Sequence, residues 1–175
     1  MDDKIELSRQ NIVTYLEYLN EKLKLKDMQG EISMVGGAVM CLAFDARQST
    51  FDIDAVFKPT KEIETCAKEV AIEHGLQPLW LNDICYQFLS ERGKFKEYKN
   101  FSNLKIYIAQ PEYMLAMKCL SARISNPYEL DDIKFLINYL NLTTLERVYE
   151  VITEFYNIHE FPDRLSLLLN EILSK

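Results

Sequence analysis

Residues 34–57, MVGGAVMCLAFDARQSTFDIDAVF, decide how this chain is read. Ile32, Met34 and Val35 predict a short strand running into the glycine pair Gly36-Gly37, and a helix over about Ala38 to Phe44 follows. Beyond a polar turn, a strand from Phe51 to Phe57 carries Asp52 and Asp54 two positions apart. Successive strand side chains point to opposite faces, so both carboxylates project from one face about 6–7 Å apart while Ile53 turns to the core. Two carboxylates so placed can share divalent metal ions. Gly36 and Gly37 lack Cβ atoms, which frees their backbone for unusual angles and lets a phosphate approach the amides that open the helix. The stretch predicts phosphate and metal in one cleft.

Working outward toward the N-terminus, Ile5, Ile12, Leu16, Leu19 and Leu23 fall near one helical stripe, which predicts an amphipathic helix from Asp3 to Lys24. Toward the C-terminus, Thr60 takes the N-cap position of a helix whose apolar residues Ile63, Cys66, Ala67, Val70 and Ala71 recur until Gly75 stops it. Residues 76–103 show no clear period and are expected to form a loop with one short strand, with Trp80 in the core. Leu104, Ile106 and Ile108 alternate with Lys105 and Tyr107, the period of a strand with one buried face. Pro111 fits the first turn of a helix with Tyr113, Met114, Ala116, Met117 and Leu120 on its apolar side. Asn126 and Pro127 separate it from a helix carrying Ile133, Phe135, Leu136, Ile137 and Leu140. Thr143 and Glu146 have capping-box spacing ahead of Val148, Val151, Ile152 and Phe155, and Pro162 opens a last helix. The expected fold class is α+β: a sheet with interleaved helices over residues 1–110, then a helical region over residues 111–175 packed on it as one unit.

With 175 residues, 48% of them hydrophobic, the chain can bury a full core. A net charge of −7 argues against broad, non-specific nucleic-acid binding, which draws its affinity from neutralising phosphates. Cys41, Cys66, Cys85 and Cys119 are scattered among apolar neighbours without a C-x-x-C pair, so buried reduced thiols are expected rather than a zinc site or disulfides. No apolar run is long enough to span a bilayer, and Met1 is followed by Asp2, Asp3 and Lys4 rather than a signal peptide; a cytoplasmic protein with no membrane partner is expected.

The order Gly36-Gly37, then Ser49-Thr50-Phe51-Asp52-Ile53-Asp54, resembles the signature of the nucleotidyltransferase superfamily related to DNA polymerase β, with G-G or G-S at a helix start and D-x-D on the next strand. Within it, ARQSTFDIDAVF, the later WLND, and PEYMLAMKCLSAR followed by DDIKFL look like the small bacterial nucleotidyltransferase-fold proteins akin to abortive-infection type IV toxins. The resemblance covers roughly residues 30–140 and implies a small mixed sheet as the core of the fold. It also implies transfer of a nucleoside monophosphate from a nucleoside triphosphate such as ATP to an acceptor hydroxyl on RNA or protein, with two magnesium ions held by the carboxylates. Carried over by motif, Asp52 and Asp54 would hold metal, and Gly36, Gly37 and Ser49 or Thr50 would contact the triphosphate. Lys118 and Arg123 on one helix would neutralise phosphate charge, and Asp131 or Asp132 would orient them or assist catalysis. An antitoxin partner is implied for the toxin-like relatives. One departure stands out: the superfamily places a third carboxylate on a later strand, where this chain has Lys105 and Tyr107, with Asp83 the nearest acidic candidate.

Plainer readings stand beside these. Arg47 fits an anion contact or an ordinary turn, and Asp131 and Asp132 fit helix N-terminal acids favoured by the dipole. Lys94, Lys96, Lys99 and Lys105, interleaved with Phe95, Tyr98 and Phe101, fit an RNA contact or a solvated loop. Two rival functions also remain: a catalytically silent binding module on the same fold, and a small-molecule nucleotidyltransferase of the antibiotic-modifying kind.

Overall fold

The computed structural model describes residues 5–122 and 127–174. Contacts divide the chain into two compact units, one comprising Met1–Gln87 with Phe95–Ala109 and the other Phe88–Lys94 with Gln110–Lys175. Elements are mixed α and β in an α+β arrangement, with seven α-helices and a five-stranded mixed sheet among the described residues.

The first unit is built on that sheet, in the order β5-β4-β2-β7-β6, from β2 (Gly30–Val35), β4 (Ile53–Lys58), β5 (Leu81–Asn82), β6 (Phe95–Asn100) and β7 (Leu104–Ala109). β2 runs antiparallel to β4 and parallel to β7; β5 is parallel to β4, and β6 and β7 form an antiparallel pair with an irregularity between Glu97 and Lys99. Ile32 and Met34, Ile53, Ala55 and Phe57, and Leu104, Ile106 and Ile108 are buried on one face. Each of these side chains except Ala55 contributes about 1.5–3 kcal/mol of transfer free energy. Two helices, α1 (Arg9–Leu25) and α3 (Thr60–His74), cover this face. A Cβ built on Gly30 would stand 2.9 Å from Leu23 of α1 and 3.1 Å from Ile63 of α3. The opposite face carries half-buried Ser33, Asp54, Val56 and Tyr107 and exposed Glu31, Lys58 and Lys105.

Several local expectations shift. The first helix starts at Arg9 rather than Asp3, because Ser8 and Asn11 form a reciprocal capping box and Leu7–Ser8 (β1) instead pairs with Ser49–Thr50 (β3). Pro59, not Thr60, occupies the cap of α3, and the Thr60 hydroxyl donates to the Phe57 carbonyl at 3.0 Å. Gly75 ends that helix with φ +67, the left-handed stop that was expected. Trp80 is fully buried, its Nε1 donating to the Ala67 carbonyl at 3.0 Å. Residues 76–103 are not a loop with one short strand; they hold β5, a 3-10 turn at Ile84–Phe88 and the six-residue β6.

In the second unit, α4 (Pro111–Ser121) packs against α5 (Pro127–Tyr139) and α6 (Leu145–Ile152), and α6 packs against α7 (Leu165–Leu173). Pro111 occupies the first turn of α4 as expected. Thr144, one residue later than expected, caps α6 by accepting from the Arg147 amide. Pro162 lies outside α7, its carbonyl accepting from Leu165, where the helix begins. Segment 88–94 is tied into this unit: the Tyr113 hydroxyl accepts from the Ser90 amide at 2.8 Å, and the Ser90 hydroxyl donates to the Phe155 carbonyl at 2.5 Å. No helix among the described residues is long and apolar enough to cross a membrane.

Candidate functional site

Asp52 sits immediately before β4 and Asp54 within it. Burial alternates through the stretch, with Asp52, Asp54 and Val56 half-buried and Ile53, Ala55 and Phe57 buried, so both carboxylates stand on the side away from the core. Register brings Val35 of β2 to one side of Asp54 and Asn82 of β5 to the other. Because Val35 is the last residue of β2, the chain turns into α2 (Gly36–Leu42) directly over the Asp54 carboxylate. Gly36 makes that turn with φ +69, and a Cβ there would lie 3.0 Å from Asp54 Oδ2. A Cβ on Gly37 would lie 2.5 Å from Thr50 Oγ1 and 3.3 Å from Arg47 Nη1. The two glycines thus let a carboxylate, a hydroxyl and a guanidinium crowd against the opening of α2.

Ser49 and Thr50 part company. On β3 their side chains point to opposite sides, and the Ser49 hydroxyl donates to the Glu6 carboxylate at 2.6 Å. Thr50 is the one brought to Gly37.

A set of contacts flanks the aspartates from the β5 side. Gln77 Nε2 donates to the Phe51 carbonyl, the Ile53 amide donates to the Trp80 carbonyl at 2.7 Å, and Asn82 Nδ2 lies 3.5 Å from Asp52 Oδ2. Cys85, in the 3-10 turn that follows, is half-buried, and its thiol is pushed up to about 12 by burial first and by the negative field of Asp54 second. Asn82 and Cys85 were absent from the expected site. The quoted WLND contains Asn82, but its place beside Asp52 depends on a parallel two-residue pairing with no periodic signal.

Two hard carboxylate oxygen donors on one side of a strand suit magnesium, and Asp52 and Asp54 are the residues that would hold it. No grouping of three or more His, Cys, Asp or Glu side chains able to hold a metal occurs among the described residues. β7 presents Tyr107 opposite Ser33, on the same sheet face as Asp54. Asp83 is exposed.

The remaining expected residues lie in the second unit. Lys118 Nζ of α4 and Asp132 Oδ2 of α5 are 2.8 Å apart, with side chains 13% and 2% exposed. Asp131 is exposed, so Asp132 is the acid that holds Lys118. Arg123 lies outside the described residues. Cys41, Cys66 and Cys119 are buried and in no disulfide, and burial drives the Cys119 thiol up to about 12. No protein-family model matches the chain, and neither does any curated protein or solved structure compared with it.

Proposed function

We propose that this chain is a magnesium-dependent nucleotidyltransferase that moves a nucleoside monophosphate from a nucleoside triphosphate to an acceptor hydroxyl on RNA or protein, as the toxin of a toxin and antitoxin pair. The observation that carries the reading is the packing of Gly36 against Asp54 and of Gly37 against Thr50 and Arg47, in the motif order quoted from the sequence. In this reading the acceptor hydroxyl loses its proton to solvent, its oxygen attacks the α-phosphorus, the bond to the bridging oxygen breaks, and pyrophosphate leaves. Asp52 and Asp54 would hold magnesium, which would offset charge on the triphosphate and favour the ionised acceptor. Arg47 and Thr50 contact phosphate oxygens beside Gly37, and Ser49 takes no part because Glu6 engages it. Lys118, fixed by Asp132, supplies a preformed cation in the helical unit.

The test is incubation of the protein with each α-labelled nucleoside triphosphate, magnesium and total cellular RNA or protein, beside the Asp52→Ala, Asp54→Ala double variant. Label transfer that disappears in the double variant is the expected result; equal label with both proteins would overturn the reading. A second reading, a silent binding module that kept the cleft, is favoured by Tyr107 standing where an acid is expected. It predicts nucleotide binding without transfer to any acceptor.

A further inference from the structure

We infer that Asn82 is a positioning residue for the carboxylate pair, its amide facing Asp52 Oδ2 and limiting how that carboxylate turns when the pair takes a divalent cation. The inference rests on the carboxylates forming a cation site, as in the reading above. Asn82 is 5% exposed, so its amide must satisfy its hydrogen bonds inside the protein. Its orientation is fixed by its neighbours. The Ile84 amide can only donate, and it donates to Asn82 Oδ1 at 3.1 Å. The Nδ2 end therefore faces two acceptors, the Leu79 carbonyl at 3.3 Å and Asp52 Oδ2 at 3.5 Å.

A reversed amide would set carbonyl oxygen against carboxylate and amide nitrogen against an N–H, losing each of these contacts. Asn82 also pairs in register with Asp54, so one buried side chain lies beside both acids. A neutral donor there limits the swing of Asp52 without adding negative charge. An acid at the same position would add a ligand and a second source of repulsion. Groups of this kind, which orient a ligand without touching the metal, govern affinity by about 10–100-fold.

The probe is Mn2+, titrated into the full chain and followed by the electron paramagnetic resonance signal of the free ion. Asn82→Ala is expected to weaken Mn2+ binding by about tenfold or more. Asn82→Asp, which also loses the donor to Leu79 but adds an acid, is expected to tighten binding or add a second ion, with an altered spectrum of the bound ion. Gln77→Ala loosens the same set of contacts at Phe51 without touching a carboxylate and is expected to leave the affinity within twofold of the parent. A purely structural role for Asn82 would move all three variants in one direction. Unchanged Mn2+ affinity in Asn82→Ala, with binding still lost in the Asp52→Ala, Asp54→Ala variant, would overturn this inference and leave the cation site standing. Mn2+ binding that is absent, or that survives loss of both aspartates, would overturn the cation site and this inference with it.

Discussion

Gly36 and Gly75 both adopt positive φ, +69 and +67, but alanine separates two costs at these positions. Gly75 has open space around the position of a Cβ, so Gly75→Ala is expected to cost only left-handed backbone strain, about 1–2 kcal/mol in urea denaturation. Gly36→Ala adds a methyl 3.0 Å from Asp54 Oδ2 and is expected to cost more and to weaken Mn2+ binding, which Gly75→Ala leaves intact. Cys85 gives a chemical readout of the same carboxylate. Its thiol, held near 12 by burial and then by Asp54, stays protonated at pH 8, and the thiolate is the reactive form. Iodoacetamide should therefore label it slowly in the native state, and Asp54→Asn, which removes the neighbouring charge, should speed the reaction. The glycine pair and the two aspartates were legible because a motif and a period-2 alternation both speak through adjacent residues. Which glycine takes the positive φ was not, since that depends on β2 ending at Val35.

The ion pair between α4 and α5 is the clearest case of a link between helices. With Asp132 2% and Lys118 13% exposed, Asp132→Ala strands a largely buried ammonium and is expected to cost about 3–5 kcal/mol. Lys118→Met with Asp132→Leu should recover most of that, because two apolar side chains need no desolvation offset; urea midpoints of the parent and the two variants decide it. The apolar stripes of α1 and α3 were readable from spacing, and the structure buries those same residues apart from Ile5, which lies outside α1. Caps slipped because Pro59 and Thr144 compete with neighbouring Thr60 and Thr143 for the same role, and only tertiary geometry chooses. β6 was illegible for a different reason. As an edge strand with an irregular register it exposes both faces in part, so FKEYKN carries no clean alternation. Lys96 and Lys99 are strand residues rather than a loop; Lys99 is paired with Glu17, and Lys94, which precedes the strand, with Glu154.

At the scale of the molecule, the chain passes between the two compact units three times, because segment 88–94 belongs with the helices while the sequence on either side belongs with the sheet. A fragment ending at Ala109 keeps every strand yet removes Tyr113 and Phe155, the partners of Ser90. Trypsin is expected to cut that fragment quickly after Arg92 and Lys94 and the full chain slowly; equal rates would show that these contacts do not order the segment. Such long-range links, like the parallel pairing of Gly30 with Leu104, leave no trace in local sequence pattern, which is why the strand order could not be read in advance. That pairing also sets a schedule for synthesis. β2 can zip onto β4 soon after both leave the ribosome, but its other edge must wait until β7 emerges. At roughly 5–20 residues per second, the nascent chain carries an open row of backbone donors and acceptors for several seconds, and the window for pairing with a neighbouring nascent chain closes only when Ala109 is out.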